Sequence, residues 1–125
     1  MEDYNEISEE NTIINLQALN EFSGNCEATV KGIIRVFLEQ APKQIATLSL
    51  VVAQKDWNNV KALSHKIKSS YAIIGADSVK NLLEKMETDC MQSNVDETKL
   101  NGLLERVIVL NEKVIESISA NIISV

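Results

Sequence analysis

Aromatic side chains make up only 4% of this chain of 125 residues, which also holds one proline, four glycines, two cysteines and a single histidine. Each shortage excludes something. Few aromatics and few turn-formers disfavour a β-sandwich, with its many turns between short strands. Two cysteines, Cys26 and Cys90, without CxxC spacing cannot frame a disulfide scaffold, and they read as ordinary buried or half-buried side chains. One histidine gives little scope for a zinc site. No apolar run approaches the roughly 18 residues that would span a bilayer. An excess of base is missing as well: the net charge is −6, which argues against binding a nucleic-acid backbone. The first ten residues, MEDYNEISEE, carry five acids and no base, unlike a signal or transit peptide. The expectation is a soluble, cytoplasmic protein that contacts neither membrane nor nucleic acid.

What the chain does have is apolar residues, 45% of the total, enough for one domain with a real core. Residues 1–12 read as an acidic flexible lead-in and residues 13–125 as the domain. Leu16, Leu19 and Phe22 fall at helical spacing, before Ser23-Gly24-Asn25 breaks the pattern. From Asn25, a good N-cap, apolar positions follow the i, i+3, i+4, i+7 rule to about Gln54. Pro42 lies inside that run, where a kink or break is expected near Glu39 to Ala41. Asp56 caps a third helix from Trp57 to about Ile74, closed by Gly75. Asp77 caps a fourth, which carries Val79, Leu82, Leu83, Met86 and Cys90 inward and ends at Ser93-Asn94. Asp96 opens the last, with Leu100, Leu103, Leu104, Val107, Ile108, Val114, Ile115 and Ile118 as its stripe. No sustained strand-like alternation occurs. The expected fold is all-α: an antiparallel up-and-down four-helix bundle with a short N-terminal capping helix.

His65 is the residue that this framework must place. At about 100° per residue, Val60, Leu63, Ile67, Tyr71 and Ile74 of the third helix cluster within roughly 80°, and His65 lies about 160° from their centre. It therefore faces away from the core. On the same outer face fall Lys61, Ala62, Lys68, Ser69, Ala72 and Ala76, with the apolar Ile73 on its flank. An idle helix surface usually carries long charged side chains throughout; this one carries small residues and two lysines. Ser69 leans over His65 from the next turn, and its smallness leaves room beside the ring. Neutral imidazole is a good nucleophile near pH 7, nearby lysines disfavour its protonated form, and their ammonium groups can offset the charge of a phosphoryl group.

The string DWNNVKALSHKIKSSYAIIGADSVKNLLEKME resembles the histidine-containing phosphotransfer (HPt) domain of bacterial multistep phosphorelays. Asp56-Trp57 matches the start of the family's pattern and Ser64-His65 the acceptor. Ile67 and Lys68 follow as expected, Gly75-Ala76 closes the motif, and Leu82, Leu83 and Glu84 resemble the next segment. The upstream FLEQAPKQIATLSLVVAQKDW is similar to the family's preceding helix, proline included. The likeness covers about residues 25 to 118. One departure stands out: the usual glycine four residues after the histidine is Ser69, whose hydroxyl can bond the carbonyl of His65 or the imidazole.

The resemblance implies a phosphocarrier, not an ATP-dependent kinase. His65 would be the phosphoacceptor at Nε2, Lys68 its electrostatic support and Ser69 the small residue beside it. Lys61, Ala62, Ala72, Ile73 and Ala76 would form the docking surface. The implied partners are receiver domains of response regulators or of a hybrid histidine kinase, met by a monomer. No cofactor belongs to this chain, and Mg²⁺ is expected in the partner receiver domain. No glycine-rich phosphate loop or kinase signature is present. Two alternatives compete: a non-phosphorylated helical adaptor with the same fold, and a bundle-core metal or cofactor protein, which needs an inward Glu-x-x-His arrangement.

Overall fold

The computed structural model describes residues 14–123, with side chains for residues 14–120; the acidic lead-in expected at residues 1–12 lies outside the described residues. Five helices follow in order: α1 (Leu16–Phe22), α2 (Glu27–Ala53), α3 (Trp57–Ile73), α4 (Asp77–Asp89) and α5 (Glu97–Ile123). No strand occurs among the described residues. α2 packs on α3 and α5, and α4 packs on α3 and α5, which closes a four-membered ring of helices; α1 lies against α2 and α3. The all-α bundle with a short N-terminal helix is thus the observed architecture. No described helix is long and apolar enough to cross a membrane.

Local chemistry sets the boundaries. Asn15 caps α1 by accepting from the Ala18 amide at 3.0 Å. After α1 the chain turns through Gly24 and Asn25, both with positive φ. Asn25 was the expected cap of the second helix, but its left-handed backbone turns the chain and leaves the cap position to Cys26. α2 and α3 end alike. In each, one residue adopts positive φ (Lys55, Gly75) and the next donates its amide back to the carbonyl five residues earlier, Asp56 to Val51 and Ala76 to Tyr71. This is the Schellman closure. It displaces the expected cap of α4: Ala76 is the N-cap and Asp77 the first helical residue, where its carboxylate still meets the positive end of the dipole. α4 ends at Asp89, a turn before the expected Ser93-Asn94. Asp96 does cap α5, accepting from the Lys99 amide at 3.1 Å.

Pro42 does not break α2, which runs through it to Ala53. A single proline removes its own donor and no other, and the buried Ala41 and Ile45 beside it hold the helix on the core. The core gathers Leu48, Val60, Ile67, Leu83, Met86, Leu100, Val107 and Val114, all essentially inaccessible. Phe22, expected on the first stripe, is exposed. Phe37 and Tyr71 meet edge to face with centroids 5.1 Å apart. The Tyr71 hydroxyl donates to Asn111 Oδ1 at 2.6 Å, and burial pushes the phenol's pKa up. That bond ties the core side of α3 to α5.

Candidate functional site

α3 presents its outer face because Val60, Ile67, Tyr71 and Ile74 hold the other side in the core. The His65 side chain is 66% exposed. Ala62, Ser69 and Ala72 are exposed around it, and Ile73 is half-buried on the flank. Lys61 is half-buried near Cys90, whose thiol feels its charge. Ala76 departs from the expectation. It is fully buried, because the helix ends at Ile73 and the Schellman turn swings the next residues inward, where the helical wheel no longer applies. Ser69 departs in a second way: its hydroxyl donates to the Lys66 carbonyl at 3.2 Å, not to the carbonyl of His65 or to the ring.

The partner of the imidazole comes from α4. Glu87 Oε2 lies 2.8 Å from His65 Nδ1, and Glu87 Oε1 accepts from Lys68 Nζ at 2.9 Å. One carboxylate therefore spans the histidine and the lysine. Lys68 also lies 3.6 Å from Glu84, which in turn lies 3.9 Å from Lys80. The hydrogen bond to Lys68 holds the Glu87 carboxyl below its ordinary pKa, and the same bond raises that of Lys68. An ionised carboxylate can only accept, so Nδ1 must carry the proton. In the neutral ring Nε2 then holds the free lone pair, and with Nδ1 engaged it is the nitrogen left for a reacting partner.

Sequence reasoning did not single out Glu87, and it treated the lysines as free positive charge. A countable signal existed. α3 and α4 form a hairpin about Gly75, so a residue ten before that turn faces one ten to twelve after it. Glu87, twelve residues after Gly75, is the ionisable residue at that distance whose side chain reaches His65 and Lys68, and Glu84, three residues before it on the same helix face, reaches Lys68 as well. Among the described residues, no group of three or more His, Cys, Asp or Glu is placed to hold a metal ion.

A family model described as the Hpt domain matches residues 32–115, more than half of the chain. The chain belongs to the Hpt family. Hpt domains serve histidine phosphotransfer in phosphorelays, and the helical ring described above is the architecture consistent with that assignment. Neither the curated proteins nor the solved structures yielded a match. The matched segment of this Hpt domain spans α3 and α4 entire, so His65, Lys68 and Glu87 all fall within it.

Proposed function

We propose that this Hpt domain is a phosphorelay intermediate whose acceptor is His65. A receiver domain, of a response regulator or of a hybrid histidine kinase, presents a phosphoaspartate. The Nε2 lone pair attacks phosphorus; the N–P bond forms as the acyl O–P bond breaks, and the aspartate leaves as carboxylate. The ring becomes a phosphoimidazolium that keeps its proton on Nδ1, where the Glu87 carboxylate offsets the positive charge. Reversal onto an aspartate of a second receiver regenerates neutral His65. Lys68 holds Glu87 in place and keeps a positive charge beside the incoming phosphoryl group. Mg²⁺ and the acyl phosphate are the receiver's contribution, since phosphoryl transfer asks the acceptor for little beyond position and electrostatics.

The observation that carries this reading is the Glu87 contact at Nδ1 beneath an exposed ring. A purely structural surface histidine has no need of a second-helix carboxylate that is itself clamped by a lysine. The test is transfer from a phosphorylated receiver. Wild-type chain should take up acid-labile phosphate. His65→Gln should take up none while its unfolding free energy shifts by no more than about 1 kcal/mol, the scale of the exposed contact to Glu87 that it weakens. Label retained by His65→Gln would place the acceptor elsewhere and leave the adaptor reading for this histidine.

A further inference from the structure

Two carboxylates compete for the ammonium group of Lys68. Glu87 Oε1 accepts from it at 2.9 Å, and Glu84 Oε2 lies 3.6 Å from the same nitrogen. Counted from the turn at Gly75, His65 stands ten residues before and Lys68 seven before, against Glu84 nine after and Glu87 twelve after. The two helices run antiparallel about that turn, so Glu87 lies level with His65. Glu84 lies about 4.5 Å farther along α4, toward Gly75 and away from the histidine. Glu87 therefore draws the lysine toward the ring, and Glu84 draws it off. Glu84 also has a second cation: Lys80, four residues earlier on α4, lies 3.9 Å from its other oxygen. A carboxylate between two lysines can release one and keep the other.

The demands on Lys68 change when His65 is loaded. The free ring is neutral and gives the ammonium no charge to follow. A phosphoryl group on Nε2 brings negative charge and acceptor oxygens to the same face. A lysine on its flexible stem can turn to a new anion, provided that an existing partner lets go. Glu87 is held by its contact with Nδ1, so it stays. Glu84 is 49% exposed and pairs with Lys68 and Lys80, so its hold on Lys68 is the one that loading must break.

We propose that Glu84 is a positioning residue that sets how far phosphoryl transfer to His65 proceeds. It keeps the Lys68 ammonium away from Nε2 while the ring is free and yields it to the phosphoryl group when the ring is loaded. Lys80 then remains as the counter-charge of Glu84. The phosphohistidine is by this means less favoured than Lys68 alone would make it, and its phosphoryl group passes more readily to a second receiver. The proposal rests on the phosphotransfer reading above.

The experiment measures the ratio of phospho-His65 to phosphorylated receiver at the plateau of transfer, approached from both directions with the full chain. Glu84→Gln keeps the shape of the side chain and removes its charge. It should move the ratio toward phospho-His65 by about two- to five-fold, the reach of an exposed ion pair. Lys80→Met should move it the other way, because Glu84 then loses its other cation. A nearby charge could produce both shifts without touching Lys68, so the deciding arm repeats them in a Lys68→Met background, where both should largely vanish. An unchanged ratio for Glu84→Gln overturns the proposal, as do shifts of equal size with and without Lys68. In either case His65 still takes up label from the receiver and from phosphoramidate, and the phosphotransfer reading stands. A wild-type chain that takes no label at His65 from either donor would overturn that reading and this proposal with it.

Discussion

A carboxylate set against one nitrogen of an imidazole decides which nitrogen can react, and here that carboxylate is Glu87, 2.8 Å from Nδ1. If it fixes the tautomer, Glu87→Ala should let the two tautomers mix in mildly alkaline solution, read from the ring ¹⁵N shifts, and should slow acceptance from a receiver. Glu87→Gln can still accept from Nδ1–H and should retain more of both. Equal spectra and equal rates for all three side chains would remove Glu87 from the account. The charge has a pH signature as well. Glu87 is held below its ordinary value of 4.5, so its contribution to stability is complete above that value and is lost as pH falls through the lowered one. Lys68 is raised above 10.5, so its contribution is complete below that value and is lost as pH rises further. A Lys68→Met/Glu87→Gln double-mutant cycle should therefore give a coupling that is present between those limits and declines on either side. The outward angle of His65 was legible from the 100° wheel alone. Glu87 was not, because a partner 22 residues away depends on how the hairpin folds and not on any local pattern.

Turns at the ends of elements, more than the helices themselves, position the site. Gly75 has a φ of +79°, and a Cβ on it would meet the Asn15 backbone at 2.6 Å. Gly75→Ala should therefore destabilise the domain by more than the roughly 1–2 kcal/mol that a left-handed residue costs, because backbone cannot give way as a side-chain tip can. Denaturant unfolding measures the loss, and the amides of α1 should shift most, since Asn15 is its cap. Stability equal to wild type would mean that the close approach is absent in solution. The stop at Gly75 was legible in the sequence. The inward course of Ala76 was not, for periodicity describes a helix and says nothing of the residue beyond its last turn. Asn25 and Asp77 each missed the cap position by one residue for the same reason: their side chains suit a cap, but the preceding closure decides where the new helix begins.

Taken whole, the molecule is a ring of four helices with its outward histidine on one of them, and the remaining question is what docks there. The face around His65 is made of small exposed residues, Ala62, Ser69 and Ala72, which suits a transient contact of modest area. Added bulk should therefore hurt more than a lost contact. Ala72→Arg should block transfer from a receiver without unfolding the ring, while labelling by phosphoramidate is much less affected. Transfer from the receiver at the wild-type rate would move the docking surface elsewhere. The all-α class was legible from amphipathic periodicity alone, and the bundle from four long stripes with short connections. The measurement that bears most directly on the central claim is the position of the phosphoryl group itself. ³¹P and ¹⁵N spectra of the chain after transfer from a phosphorylated receiver should show one phosphoramidate bond, at Nε2 of His65, with the proton retained on Nδ1. Phosphate on Nδ1, or on any other residue, would contradict the account.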